Sequence, residues 1–276
     1  MGKQETQLTL KIYSKNINEW ERLVKDPFHK LEFDTTFKFL RKFFPKKGLV
    51  LDAGGGPGRY SIELAKKGYD IILLDLVPKL LDIAKKKIKL AKVQSKIKEI
   101  IEGDVTDLSY FKNNSFDAVI CLGGALSHVH PKRKRKQAVS ELIRVAKKGA
   151  PIFISVMGKF GTIARFFPKF INQLKDNNHF KKVYLHGDDY RWYNGKKSYA
   201  HFFELAELKS LFGNNVKILQ QVGLQGVSSF LKEEINKLAI TEPKAWGNWL
   251  KMHYKLCTNP TVADLSLHFM VIAKKK

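Results

Sequence analysis

Residues 52–59 read Asp52-Ala53-Gly54-Gly55-Gly56-Pro57-Gly58-Arg59, and they join the apolar run Leu49-Val50-Leu51 to a helical pattern that ends at Gly68. A glycine-rich turn between a buried strand and a helix suits ligand binding, because glycine tolerates positive φ and lets a ligand approach the main chain. The N-terminus of the following helix adds unpaired N–H groups and the positive end of a dipole. The turn therefore predicts a nucleotide-type site at the end of the first strand.

The spacing of the glycines separates three nucleotide-binding motifs. A P-loop ends in Gly-Lys-Ser/Thr, whereas this turn ends in Gly58-Arg59-Tyr60. A G-x-G-x-x-G fingerprint counted from Gly54 has Arg59 at its last position, so it does not fit either. The pattern that fits is an acid placed two residues before three alternating glycines: Asp52, Gly54, Gly56 and Gly58.

Apolar runs alternate with helical patterns on both sides of the turn, which is typical of a parallel sheet. We therefore expect an α/β fold with a doubly wound, seven-stranded, mostly parallel sheet. The predicted strands lie at 49–51, 71–74, 100–101, 116–122, 151–156, 216–222 and 265–272.

The length of 276 residues suits one domain with a modest cap. Within a single domain spanning 1–276, interruptions of the strand–helix alternation divide the chain into four parts. These are an N-terminal helical cap (1–46), a cofactor-binding core (47–157), an inserted substrate cap (158–200), and a C-terminal part of the sheet with a helical insertion (201–276).

Acidic residues recur at the predicted strand ends. Asp75 ends the second strand, where an acid accepts the hydroxyls of a ribose. Gly103-Asp104-Val105 follows the third strand, and the fourth strand, 116–122, reads Phe-Asp-Ala-Val-Ile-Cys-Leu. Together with the glycine turn and the last strand, 265–273, this series resembles the class I S-adenosylmethionine-dependent methyltransferases, in a Lys-rich, archaeal-type form.

The resemblance implies a Rossmann-like fold, S-adenosyl-L-methionine as cofactor, S-adenosyl-L-homocysteine as product, and no metal. It implies that the glycine turn wraps the amino-acid end of the cofactor. It further implies that Asp75 holds the ribose and that Asp104 contacts the adenine amino group. The implied cofactor residues are Asp52, Gly54, Gly56, Gly58, Asp75, Leu76, Asp104, Val105 and Leu122.

The acceptor site is harder to predict, because methyl transfer mainly requires positioning and needs a base only for protonated acceptors. His128 and His130 follow the fourth strand, where the acceptor must approach. One interpretation is that they orient the acceptor or take its proton. The other is that they are polar residues at the start of a helix. The Asp/Asn-Pro-Pro-aromatic motif of base-amine methylases is absent here, so an amino-group target is not supported. Cys121 lies within a strand and reads as a buried structural thiol.

Charge points towards a polyanionic partner. Lys and Arg number 50 against 26 for Asp and Glu, which gives a formal net charge of +24. A run of five cations at 132–136 opposes the dipole of the helix that it begins, and phosphate contact would compensate for this. We therefore expect Lys132, Arg133 and Arg135 to bind substrate.

Aromatic rings and cations alternate over residues 184–199. Arg191, Trp192 and Tyr193 are expected to stack on an unpaired base and grip its backbone. The alternative for this segment is a hydrophobic lid over a small acceptor.

The function predicted from these patterns is methylation of a base in structured RNA, ribosomal or transfer. Two alternatives stay open: a small-molecule methyltransferase with an incidental basic surface, and a non-catalytic RNA-binding module that keeps the cofactor pocket. A monomer is assumed. With two cysteines, a polar start and no long apolar run, the chain is expected in the cytoplasm and away from membranes.

Overall fold

A computed structural model describes residues 2–15, 17–171, 174–190 and 198–276. It contains one seven-stranded sheet and one two-stranded ribbon. The strands of the large sheet are β1 (Leu49–Ala53), β2 (Asp70–Asp75), β3 (Ile97–Glu102), β4 (Ala118–Cys121), β5 (Pro151–Met157), β8 (Val216–Gly223) and β9 (His268–Lys275). The ribbon consists of β6 (Asp188–Asp189) and β7 (Ala200–His201).

The strand order in the large sheet is β3-β2-β1-β4-β5-β9-β8. The pairs from β3 through β5 are parallel, whereas β9 runs antiparallel to both β5 and β8. The order reverses direction between β1 and β4, and ligands bind at such a switch point in open α/β sheets. The predicted doubly wound, mostly parallel sheet of seven strands is confirmed.

Helices cover both faces and one end of the sheet. They are α1 (Gly2–Lys15), α2 (Pro27–Phe43), α3 (Arg59–Lys66), α4 (Pro78–Leu90), α5 (Lys132–Val145), α6 (Lys159–Phe170), α7 (Asn177–His186), α8 (Leu205–Ser210), α9 (Lys232–Thr241), α10 (Pro243–Leu256) and α11 (Pro260–Asp264). Short 3-10 helices lie at Ile17–Trp20, Gln94–Lys96, Ala125–His128 and Gly226–Phe230. In the part of the chain that the structure describes, no helix is long and apolar enough to span a bilayer.

The core consists of two apolar layers, one on each face of the sheet. Neighbours in β1 join different layers, because successive side chains of a strand point to opposite faces. Val50 packs with Leu40 of α2, and Leu51 packs on the side that holds Leu142 of α5. Burying each such side chain stabilises the fold by about 1.5–3 kcal/mol, so the two layers hold the sheet edge that carries the site.

Two regions differ in detail from the expected pattern. Strand β9 begins at His268 instead of 265, because the Ser266 hydroxyl accepts the Gln225 and Gly226 N–H groups and so belongs to a turn. Residues 158–200 show no βα unit in the sequence, yet α6, α7 and the ribbon form there. Asp176 marks the start of α7 by accepting the His179 N–H, a helix-start signal that the sequence reading missed.

Arg135 lies inside the protein and is 3% exposed, so the prediction that it contacts phosphate was wrong. Its Nη1 donates to Tyr199 Oη at 2.7 Å, and its guanidinium lies 3.9 Å from Asp188 Oδ1 and 3.8 Å from Glu207 Oε1. Helix periodicity explains the burial, because Arg135 shares one face of α5 with Val139, four residues on, which is fully buried.

His201 completes this buried cluster. Its Nδ1 lies 2.8 Å from Asp188 Oδ1, and its Nε2 lies 2.9 Å from Glu207 Oε2. The cluster therefore joins α5, the ribbon and α8 behind the site.

Replacing Arg135 by alanine should lower the free energy of unfolding by about 3 kcal/mol, because the buried guanidinium is lost and the partly exposed Asp188 and Glu207 are left without it. Urea denaturation measures this change. Arg133→Ala, on the exposed side of the same helix, is the matched control and should change stability by less than about 0.5 kcal/mol. Equal effects of the two variants would contradict the structural role of Arg135.

Candidate functional site

A cavity of about 1370 Å³ opens at the carboxyl edge of the sheet. Typical small-molecule pockets measure about 300–1,000 Å³, so this cavity has room for a cofactor and an acceptor together. Its walls come from the glycine turn, the ends of β2, β3 and β4, helices α1 and α2, and the cap around α6. The strand-end residues that the sequence predicted for the cofactor thus converge on one space.

The glycine turn forms a tight cradle on one wall of the cavity. Gly54, Gly56 and Gly58 have φ of +76°, +54° and +78°, a region that favours glycine. A Cβ on Gly54 would lie 2.5 Å from the Ala125 Cβ, so a side chain does not fit there. Gly55 lacks positive φ, but a Cβ on it would lie 2.5 Å from Leu73 Cδ1, a steric requirement that the alternating-glycine pattern did not reveal.

Asp75 sits where β2 ends and is 7% exposed. Its Oδ2 accepts the Gly56 N–H at 2.7 Å, and its Oδ1 accepts the Val77 N–H at 2.9 Å. Burial raises the pKa of Asp75 to about 6, although both backbone donors oppose that rise. The carboxylate thus ties the glycine turn to β2 while facing the cavity, where it can also accept ribose hydroxyls.

Asp52 at the end of β1 is fully buried and carries an unusual free acceptor. Its Oδ2 accepts the Ser61 hydroxyl at 2.6 Å, but its Oδ1 has no hydrogen-bond partner among the described residues. Burial raises the pKa of the Asp52 carboxyl to about 7. An orphaned carboxylate oxygen beside a glycine cradle fits a cationic amino group, such as the ammonium of a bound amino-acid moiety.

The remaining predicted cofactor residues also line the cavity. Asp104 Oδ1 accepts the Thr106 N–H at 2.8 Å, which fixes the loop after β3, and the neighbouring Val105 is buried. Leu76 and Leu122 lie at the ends of β2 and β4. Gly58 is the exception, because it packs against Leu73 and Ala84 and has its role in the turn. The set fits a ligand with an amino-acid end, a ribose and a base.

His128 lies in the cavity with both ring nitrogens engaged. Its Nδ1 lies 3.0 Å from the Tyr199 carbonyl oxygen, which can act as an acceptor only, so Nδ1 carries the proton. Burial lowers the pKa of His128, so the ring is neutral and Nε2 is an acceptor. The Tyr13 hydroxyl occupies that position, donating to Nε2 at 2.8 Å.

His130 also lines the cavity but is held against two rings of the cap. Its ring packs edge to face on Tyr199 at 4.6 Å, and its Nε2 lies 3.3 Å from Tyr190 Oη. Of the two predicted catalytic histidines, His128 thus has the fixed tautomer that a base needs, whereas His130 packs against Tyr199 and Tyr190.

A buried polar network lies at the inner end of the cavity, and the sequence reading missed it. Glu32 of α2, 1% exposed, receives Arg22 Nη1 and Nη2 at 3.1 and 3.4 Å. It also accepts from Gln225 Nε2 at 3.2 Å and lies 3.4 Å from His268 Nδ1. The four residues span nearly 250 positions of the chain, so no local sequence pattern could have predicted that they meet.

Arg22 faces the end of β4. A Cβ on Gly123 would lie 3.2 Å from Arg22 Nη2, so the guanidinium reaches the edge of the sheet. Arg22 Nε also donates to Glu19 at 3.2 Å. Although burial opposes it, Glu32 and Glu19 hold the pKa of Arg22 above its ordinary value.

We define the inner chamber as the part of the cavity lined by Arg22, Glu32, His128, Met157, Thr162, Phe166, Gln225 and His268. Helix α1 covers it, since Thr9, Ile12 and Tyr13 contribute to its wall. Thr162 Oγ1 is buried there without a hydrogen-bond partner in the described part of the chain.

Cations surround the outer opening. Arg133 and Lys134 line the cavity, and Lys132 is exposed beside them; we call these three residues the basic rim. None of the three forms an ion pair with an acid of the described ranges. Arg191, Trp192 and Tyr193 lie outside the described residues, so their predicted stacking role stays a prediction. The described residues also contain no cluster of side chains suited to hold a metal.

The comparisons with known proteins agree with this geometry. Residues 50–149 match the family described as "Methyltransferase domain". The chain is 29% identical over 131 residues to a glycine/sarcosine N-methyltransferase of Parasynechococcus marenigrum (strain WH8102), covering 47% of this chain and 45% of that protein. It is 44% identical over 48 residues to a tRNA 5-carboxymethoxyuridine methyltransferase of Escherichia coli (strain K12), covering 17% and 18%.

Among solved structures, the PH0226 protein from Pyrococcus horikoshii OT3 superposes with a TM-score of 0.57. The match covers 90% of this chain and 91% of that one at 15% sequence identity, so the two share a fold. The chain spans less than half the length of the two curated relatives described above.

Replacing Asp75 by alanine should weaken binding of S-adenosylhomocysteine by about 1.5–3 kcal/mol, the range for hydrogen bonds to a charged group. Calorimetry measures the affinity. Asp107→Ala removes an exposed acid outside the cavity and should leave the affinity unchanged. Equal affinities for Asp75→Ala and the parent protein would remove Asp75 from the cofactor site.

Affinity for S-adenosylmethionine should rise with pH as Asp52 ionises. Its pKa of about 7 in the unliganded fold means that a cofactor ammonium at Oδ1 must displace a proton. Binding should therefore weaken by up to about tenfold for each pH unit below 7 and level off above it. In the unliganded protein, the raised pKa of Asp52 also lowers the free energy of unfolding as pH rises from the ordinary pKa of an aspartate towards 7.

Calorimetry between pH 6 and 8, in buffers of different ionisation enthalpy, counts the released proton. Asp52→Asn should flatten the dependence, because the amide does not titrate. A pH dependence that persists unchanged in Asp52→Asn would assign the proton to another group.

Proposed function

The chain belongs to the class I S-adenosylmethionine-dependent methyltransferases, and from this premise we propose that it transfers the cofactor's methyl group to a small acceptor in the inner chamber. When bound, the cofactor supplies an electrophilic methyl group on a sulfonium. Asp52, the glycine turn, Asp75 and Asp104 hold it in this proposal. The chain's remaining task is to orient the acceptor and remove its proton.

The observation that carries the proposal is that Tyr13 of helix α1 lies against His128 at the end of the inner chamber. Helix α1 covers it, α6 and the ribbon flank it, and buried polar groups of Glu32, Gln225 and Thr162 face it. A folded RNA would need this cover removed to bring a base to the end of β4, whereas a small molecule fits beneath it. The relative that methylates glycine and sarcosine supports an acceptor of this size.

His128 is the proposed general base. Its Nδ1–H bond to the Tyr199 carbonyl fixes the tautomer, and Nε2 is the acceptor, which the Tyr13 hydroxyl occupies and an acceptor hydroxyl or amine would replace. General bases contribute about 10²–10⁴-fold to a rate, and they do so for acceptors that carry a proton on the attacking atom. The proposed reaction is therefore transfer to a protonated oxygen or nitrogen nucleophile.

Structured RNA, ribosomal or transfer, is the second candidate acceptor. The basic rim supports it, because three cations without acidic partners among the described residues surround the opening of a cavity in a chain of net charge +24. The partial likeness to a tRNA methyltransferase points the same way. A cytoplasmic location also belongs to the proposal, supported by two free, buried cysteines.

Measuring S-adenosylhomocysteine formation with a small-molecule panel and, separately, with total tRNA and rRNA tests the proposal. We expect turnover with small acceptors. Replacing Lys132, Arg133 and Lys134 by alanine should leave that turnover intact and reduce the slope of RNA affinity against salt by about 2–3, one decrement for each lost phosphate contact.

The matched control removes the same charge from exposed positions that do not line the cavity, by replacing Lys86, Lys89 and Lys148 with alanine. It should alter the salt slope less than the rim variant does. Turnover with RNA and with no small acceptor would overturn the first candidate in favour of the second.

A further inference from the structure

We infer that the acceptor is a small phenol, whose hydroxyl binds His128 Nε2 in the place that the phenol of Tyr13 occupies in this structure. This inference rests on the proposed function and narrows its substrate class. It follows from three features of the inner chamber. These are the contact between Tyr13 and His128, the apolar residues of the cavity wall, and the hydrogen bonds that Arg22 already donates to Glu19 and Glu32.

The Tyr13–His128 contact has the geometry of a phenol held by a base. The Tyr13 hydroxyl donates to Nε2 at 2.8 Å, and the two rings meet edge to face with centroids 5.2 Å apart and an angle of 75°. Tyr13 lies 115 positions from His128 in the chain, on a helix that reaches across the cavity. The cover of the chamber thus places a substrate-like group on the base.

The anchor behind His128 is rigid. Tyr199, whose carbonyl accepts from Nδ1, is 1% exposed, and its hydroxyl donates to Asp188 Oδ1 at 2.7 Å while accepting from Arg135. The buried cluster behind the ribbon therefore fixes the direction of the Nε2 lone pair. A base fixed in this way selects acceptors whose proton lies along one direction.

The walls around this position suit an aromatic ring. Met157 at the end of β5, Phe166 of α6 and Leu267 line the same cavity. Thioether and ring surfaces favour contact with a second ring. Thr162 Oγ1, buried and without a partner in the described ranges, is available for a polar ring substituent.

An amino-acid acceptor would find the guanidinium that reaches the end of β4 already engaged. Arg22, whose guanidinium reaches the end of β4, donates to Glu19 and twice to Glu32. An acceptor carboxylate would have to displace one of these bonds and would meet Glu32 beside it. A neutral phenol carries no such cost.

The chemical step is balanced without any further reactant. The phenol O–H bond breaks and its proton passes to His128 Nε2. The oxygen forms a bond to the methyl carbon, and the methyl–sulfur bond breaks with its electron pair left on sulfur. The products are an aryl methyl ether, the neutral thioether S-adenosylhomocysteine, and a proton that leaves His128 for solvent.

The test uses p-cresol, which is the side chain of tyrosine as a free molecule. Tyr13→Ala vacates a space of that shape, so the full-length variant with S-adenosylmethionine should convert p-cresol into its methyl ether. We expect a rate at least about tenfold above the parent protein, in which Tyr13 competes for the same position. Tyr13→Phe, which keeps the ring and loses the hydrogen bond, should give an intermediate rate.

Two controls separate this result from loosening of the fold. Tyr110→Ala removes an exposed phenol outside the cavity and should behave as the parent protein. Adding His128→Gln to Tyr13→Ala should lower p-cresol turnover by about 10²–10⁴-fold while S-adenosylhomocysteine still binds. If the double variant retained full turnover, His128 would not be the base and the inference would fail.

The outcomes distinguish this inference from the proposed function. If Tyr13→Ala binds S-adenosylhomocysteine and methylates glycine or sarcosine but not p-cresol, the phenol is wrong and the small-acceptor function stands. If Tyr13→Ala binds S-adenosylhomocysteine and methylates RNA but no small acceptor, both the phenol inference and the small-acceptor function are wrong. Formation of 4-methylanisole, ranked Ala above Phe above Tyr at position 13, supports both.

Discussion

The attachment of the glycine turn to β2 is the constraint on which the site depends. Gly54 and Gly55 donate their N–H groups to the Leu74 carbonyl at 2.7 and 3.2 Å, and Gly56 donates to Asp75 at 2.7 Å. These bonds bend the chain towards the neighbouring strand at the switch point of the sheet. Positive φ and the lack of side chains make the bend sterically allowed. Asp52 is buried with one oxygen unpaired among the described residues, and Asp75 also lines the cavity.

The fold, and the convergence of the predicted cofactor residues on one cavity, could be predicted from sequence because their determinants are local. Each determinant occupies a few consecutive residues: a buried strand, a glycine-rich turn, or an acid at a strand end. Parallel topology then brings the strand ends together at one edge of the sheet. The acid series at 52, 75 and 104 therefore converges as expected. Gly55 shows the limit of spacing rules, since a side chain there would meet both the Asp52 carboxyl and Leu73 on another strand.

The acceptor half depends on long-range packing, which sequence patterns do not encode. Arg22, Glu32, Gln225 and His268 meet from four separate elements, and Tyr13 reaches His128 across the cavity. Arg135 shows the reverse error. Read within a basic run it resembled a phosphate ligand, but a helix turns each residue by a fixed angle, and this one faces Val139 and the core. The rim cations that precede it in the chain are exposed or border the cavity.

The central claim is that one cavity holds the cofactor at the glycine turn and a small acceptor beneath α1. Backbone-amide NMR during titration with S-adenosylhomocysteine, followed by p-cresol in the Tyr13→Ala variant, locates both ligands. The account predicts that the first addition shifts the amides of Gly56, Val77 and Thr106, and that the second shifts those of His128 and Met157. Shifts confined to the basic rim, with the amides of the glycine turn and His128 unmoved, would contradict it.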